Sequence, residues 1–184
     1  VREKPIVFYG TSILQGGCAS RPGMAHTNII SRKLNRECIN LGFSGNGQLD
    51  LEVARVMAEV DAGVFVLDFV PNASVEQMNE RMETFYRIIR SKHPQTPIVF
   101  IEDPVFAHSL FDQRIAGEVQ RKNHTLNEIF NSLKRKREKN IYLIHSKDMI
   151  GEDGEATVDG IHFTDLGMMR YVDLVYPTIK RLAK

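Results

Sequence analysis

Two hydrophobic rhythms alternate along this chain. Short, almost unbroken apolar runs rich in β-branched residues lie at residues 5–9 (PIVFY), 37–41 (ECINL), 63–69 (GVFVLDF), 97–101 (PIVFI) and 140–144 (NIYLI). Runs of that length without polar alternates predict strands covered on both faces, as in a parallel sheet. Between them, residues 23–34, 49–60, 75–92 and 113–137 repeat their apolar positions at the period of an amphipathic helix. A final helical stretch, residues 165–182, contains Pro177. A kink is expected there, because proline lacks an N–H and crowds the preceding turn. Asn72-Ala73-Ser74 ahead of Glu76 and Gln77 is N-cap chemistry for the helix that starts near residue 75.

Strand-helix alternation of this kind predicts an α/β fold, an open parallel sheet with helices on both faces. No internal repeat, low-complexity tract or linker breaks the pattern, so the 184 residues are expected to form one domain with a core large enough to stand without disulfides or metals. Sites in such sheets form where strands end and helices begin. The longest unpatterned connection, residues 102–112 (EDPVFAHSLFD), leaves that edge after the fourth strand and is expected to face substrate.

Charge removes some function classes. The formal net charge is +1, too small to steer the chain to nucleic acid or an anionic membrane surface. Its one basic cluster, Lys134-Arg135-Lys136-Arg137, continues a helical stretch into Glu138 and reads as a solvated helix end. No apolar run approaches the ~20 residues of a membrane span. Cys18 and Cys38 make no disulfide framework and are expected to be reduced, partly buried thiols. The chain begins Val1-Arg2-Glu3-Lys4-Pro5, almost directly on its first strand, which suggests an excised or mature piece of a longer protein.

Four segments carry chemistry, in this order. Ser12, in Gly10-Thr11-Ser12, sits at the turn out of the first strand, where a hydroxyl can point into the cleft; taken alone, it reads first as a turn or N-cap serine. The segment lacks the Gly-Lys-Ser/Thr spacing of a phosphate loop. After the second strand, Gly42, Gly45 and Gly47 allow a sharp turn that brings an N–H near a ligand oxygen, although a plain flexible turn uses the same residues. Their spacing is not the dinucleotide fingerprint. After the third strand, Asn72 follows Pro71; its amide can donate to an oxyanion or cap the next helix.

Asp159-Gly160-Ile161-His162 is the most specific segment. A carboxylate three residues before a histidine can curl back onto the imidazole and fix its tautomer, leaving the other nitrogen to take a proton from Ser12. Thr164 or Asp165 would then cap the last helix. The remaining histidines, His26, His93, His108, His124 and His145, have no comparable partner in sequence. Glu102, Asp103 and Asp165 are isolated carboxylates without Cys/His spacing, so no metal centre is expected.

With these segments assembled, the chain resembles the SGNH hydrolases, also called GDSL esterases and lipases, from Ile6 to about Tyr171. By block, Ser12 matches the nucleophile, Gly45 and Asn72 the oxyanion donors, and Asp159 with His162 the acid-base pair. The resemblance implies a flavodoxin-like three-layer α/β/α fold with a five-stranded parallel sheet, and ester hydrolysis with no cofactor. Thr11 stands where the family has the aspartate of Gly-Asp-Ser, and Val70 and Ala73 flank the Pro71-Asn72 pair in place of the usual Gly-x-Asn-Asp. These departures replace braces and leave room for a binding or scaffolding module on an esterase fold. Residues 15–24 resemble those of family members in exported, multidomain bacterial proteins associated with carbohydrate esters. A short acyl group on a sugar-like alcohol is the expected substrate, with longer-chain lipase or thioesterase activity as the alternative. Arg21, Phe106, His108 and Phe111 are candidate substrate contacts, although each reads first as ordinary loop packing.

Overall fold

The computed structural model describes residues 3–183. The strands are β1 (Ile6–Gly10), β2 (Cys38–Gly42), β3 (Val64–Asp68), β4 (Ile98–Ile101) and β5 (Ile141–Ile144). They form one five-stranded sheet in the order β2-β1-β3-β4-β5, with every pairing parallel. Each predicted strand is present, shifted by a residue or two at its ends. The helices are α1 (Ser12–Gln15), α2 (His26–Leu34), α3 (Leu51–Met57), α4 (Val75–Lys92), α5 (Gln113–Arg135) and α6 (Asp165–Leu182).

Side-chain alternation along β1 shows why three layers form. Ile6 and Phe8 join Ile29 and Ile30 of α2 and Met168, Val172, Val175 and Ile179 of α6 on one face. Val7 and Tyr9 join Ala54 and Met57 of α3, Met82, Phe85 and Ile89 of α4, and Leu126 and Leu133 of α5 on the other. The central strands β1 and β3 are buried throughout, as their unbroken apolar sequence requires.

Several sequence expectations change in detail. The stretch 23–34 divides into a 3-10 turn at Pro22–Met24 and α2, and the stretch 49–60 yields only α3. Helix α6 runs through Pro177 as one helix to Leu182. Ser74 caps α4 in a reciprocal capping box with Gln77, and Thr164 caps α6, so Asn72 is free of capping duty. Both cysteines are free, but Cys18 is exposed rather than partly buried. No helix among the described residues is long and apolar enough to cross a membrane.

Candidate active site

The four chemical segments meet at the carboxyl edge of the sheet. Thr11 leaves β1 in an extended conformation, and its hydroxyl accepts from the Ile13 N–H at 3.2 Å, capping α1. Threonine thus braces this turn from inside it, buried, and Ser12 becomes the first residue of the helix. Close backbone contact fixes the turn from three sides. A Cβ on Gly10 would collide with the Asp68 carbonyl of β3, one on Gly42 with the Gln15 backbone of α1, and one on Gly47 with the Gly10 carbonyl. Glycine is required there by space. At Gly45 the requirement is conformational: its φ is +70°, although the space where a Cβ would stand is open.

Asn72 accepts from the Gly47 N–H through Oδ1 at 3.3 Å. A backbone N–H can pair only with the amide oxygen, so the orientation of the amide is set and its two N–H donors remain for another partner. This contact ties the second and third segments together. The loop after Gly47 is anchored in turn by the Tyr9 hydroxyl, which accepts from the Leu49 N–H at 2.8 Å.

The fourth segment closes the site ahead of α6. Asp159 Oδ1 accepts from the Ile161 and His162 N–H groups at 3.0 and 2.7 Å, curling the loop into a tight turn. Its other oxygen lies 2.6 Å from His162 Nδ1. The hydrogen bond from the His162 ring, with those from the backbone, holds the Asp159 carboxyl well below the usual carboxylate range. An ionised Asp159 can only accept, so Nδ1 carries the proton and Nε2 presents its lone pair. Nε2 lies 2.8 Å from Ser12 Oγ. Gly160, at φ +86°, keeps the turn open, and the His108 ring packs against it where a side chain would stand.

Ser12 and His162 open into a cavity of about 490 Å³ that Gly45 and Asn72 also line. Ile13, Phe106, Ile115, Val119 and Ile161 are among its apolar lining, and Asp103, Arg114, Glu118 and Lys122 place polar groups among them. Phe106 and His108 of the 102–112 connection are therefore at the cavity. Arg21 is not: it is exposed at the start of the 3-10 turn, outside the lining. Phe111 also lies outside the lining, 87% exposed.

Sequence reasoning passes over these polar groups. Glu118 and Lys122 are four apart on the α5 face that also carries Ile115 and Val119. A lysine on an apolar helix face is the available signal. Nor is His162 the only histidine with a carboxylate: His145 Nδ1 lies 2.9 Å from Glu102 Oε1, a pairing made by adjacent strand ends and invisible to local spacing. Asn127 and Ser146 also bond Glu102, and Ser20 bonds Asp165. These partners occupy both carboxylates. Among the described residues, no group of three or more His, Cys, Asp or Glu side chains is placed to hold a metal.

A profile of the GDSL-like lipase/acylhydrolase family matches residues 3–180. No curated protein matches the chain significantly. Among solved structures, a putative GDSL-like lipase from Bacteroides ovatus superposes with a TM-score of 0.95 at 41% identity, covering 98% of this chain and 54% of the other. The salicylyl-acyltransferase SsfX3 from a tetracycline biosynthetic pathway gives 0.83 at 17% identity, covering 99% and 55%. A family two carbohydrate esterase from Clostridium thermocellum, solved with cellohexaose, gives 0.75 at 16% identity, covering 98% and 64%. The latter two likenesses speak to the fold alone. The chain spans more than half but less than two thirds of the length of each of these structures. Its match to the profile over nearly all its residues and the close superposition on the Bacteroides structure agree: the chain belongs to the GDSL-like lipase/acylhydrolase family, a family of carboxylic ester hydrolases.

Proposed function

We propose that this chain hydrolyses carboxylic esters by acyl transfer through Ser12. The observation that carries the reading is the continuous line from Asp159 through His162 to Ser12, with contacts of 2.6 and 2.8 Å, ending in an open cavity. His162 Nε2 takes the hydroxyl proton as Ser12 Oγ bonds to the ester carbonyl carbon. The carbonyl electron pair moves onto oxygen, where the Ser12 and Gly45 N–H groups and the Asn72 amide donate hydrogen bonds. As the tetrahedral centre collapses, the C–O bond to the alcohol breaks and His162 returns its proton to the leaving oxygen. Water then repeats the sequence on the acyl-serine: His162 removes its proton, the acid leaves and Ser12 is regenerated. Asp159 stays ionised and holds the imidazole in the working tautomer.

The preferred ester has a short acyl group, and its alcohol is sugar-like. In support, Gly45 and Pro71-Asn72 line the cavity with Ser12, and Asp103, Arg114, Glu118 and Lys122 add polar groups to a largely apolar lining. The test is turnover of 4-nitrophenyl acetate by wild type and Ser12→Ala, with circular dichroism as the check on folding. Wild type is expected to turn over and to be labelled at Ser12 by a fluorophosphonate, and the variant to do neither. Undiminished turnover in a folded Ser12→Ala would sink the proposal, and so would an inert wild type.

A further inference from the structure

The cavity lining contains a buried acceptor left without a donor. Asp103 follows β4 and is only 2% exposed, yet its Oδ1 has no hydrogen-bond partner among the described residues. Its backbone is clamped on both sides by one residue: Asn123 Oδ1 accepts from the Asp103 N–H at 2.7 Å, and Asn123 Nδ2 donates to the Asp103 carbonyl at 2.9 Å. The carboxyl is thus held in place without being satisfied. Lys122, the neighbour of that asparagine on α5, is 8% exposed and reaches into the same cavity. Its ammonium donates to the Pro71 carbonyl at 3.1 Å and pairs with Glu118 Oε1 at 3.1 Å, which leaves one of its three donors. Lys122 is paired with Glu118 and not with Asp103, although both Lys122 and Asp103 line one cavity and the lysine's field acts on the carboxyl.

A guest between these two groups must both donate and accept. Asp103 offers an acceptor and Lys122 a donor, and Glu118 stands beside the lysine. A substrate ammonium would face Lys122, and a substrate carboxylate would face Asp103 and Glu118. A hydroxyl meets both groups without adding a charge. Burial pushes the Asp103 carboxyl up to about 7, and a hydroxyl can pair with either of its protonation states.

Resting on the ester-hydrolase reading for the reacting centre, we propose that Asp103 and Lys122 form a subsite for a free hydroxyl of the ester substrate. Selectivity for hydroxylated esters then comes from β4 and α5, while the chemistry comes from the loops after β1, β2 and β3 and the turn before α6. The hydroxyl can belong to the alcohol or the acyl half, and two pairs of probes separate these sources. The first pair is 2,3-dihydroxypropyl acetate against propyl acetate; the second is ethyl glycolate against ethyl propionate.

Binding of each probe to Ser12→Ala is measured by ligand-observed NMR, and turnover of the same probes by wild type. In at least one pair the hydroxylated member is expected to bind roughly tenfold more tightly, since a site built around a hydroxyl rejects the analogue lacking it. Adding Asp103→Ala or Lys122→Met should bring that ratio close to one, with thermal melts as the check on folding. Equal binding within both pairs to Ser12→Ala overturns the subsite whether or not the further variants fold. A preference that survives both substitutions in folded protein overturns it as well. Selective binding without turnover by wild type would leave the subsite standing and overturn the hydrolysis reading instead.

Discussion

Asp68 ends β3 inside the fold, and its carboxyl accepts from the buried Tyr171 hydroxyl of α6 at 2.8 Å. Burial pushes the Asp68 carboxyl up to about 7, against the partial opposing effect of that bond. Between its unfolded value near 3.9 and the folded value, the native protein therefore holds a proton that the unfolded chain has lost. Stability falls as pH rises through that window, by about 1.4 kcal/mol per unit, and levels off above it. From pH 5 to pH 8, Asp68 alone removes about 2–3 kcal/mol, a substantial share of the roughly 5–15 kcal/mol typical of a domain. Asp68→Asn keeps an oxygen for Tyr171 and abolishes the titration. Urea denaturation of both proteins at the two pH values measures the effect. The variant's stability relative to wild type should improve by about 2–3 kcal/mol between pH 5 and pH 8. Asp103 contributes a dependence of the same sign in both proteins, smaller in the variant because the Asp68 charge helps to raise the Asp103 carboxyl, so the two effects add in the comparison. Any cost of burying the new amide is common to both pH values and cancels too. Parallel pH dependence of wild type and variant would refute the reasoning.

Two other outcomes are expected. Asp159→Asn keeps the turn but loses the tautomer control of His162; kcat on 4-nitrophenyl acetate should drop roughly a thousandfold with an unchanged melting temperature. Gly42→Ala places a methyl group against the Gln15 backbone and should displace α1, costing about 1–3 kcal/mol in denaturant titrations and lowering turnover through the Ser12–His162 distance.

The sheet is readable from sequence because its strands are covered on both faces, so burial alone dictates their composition. β1 and β3 follow directly from runs such as IVFY and VFVL. The Asp159–His162 contact is equally accessible, since both residues lie within one turn. Contacts made by stacking distant chain segments are not. The bond from the Gly47 N–H to Asn72, the pairing of His145 with Glu102 and the presence of Asp103 and Lys122 on one cavity each depend on strand order and helix placement. Arg21 illustrates the converse. Its neighbour Ser20 bonds Asp165 at the start of α6, but Arg21 itself is exposed and lies outside the cavity lining. Helical spacing also overstates helix length where a loop imitates it, as at Leu49, whose φ of +63° rules out a helical start before α3.

The His108 ring resting on Gly160 joins a wall of the cavity to the loop that carries the acid-base pair. Exchanging the segment between β4 and α5 for one from a relative would therefore be more than a change of lining. A graft that kept an imidazole-sized group over Gly160 would inherit the support of that loop; one that removed it would have to supply a new buttress. Transplanted selectivity in this scaffold is thus tied to a point of mechanical contact as well as to the groups the same connection carries, Glu102 bonded to Asn127 and Ser146 and Asp103 clamped by Asn123.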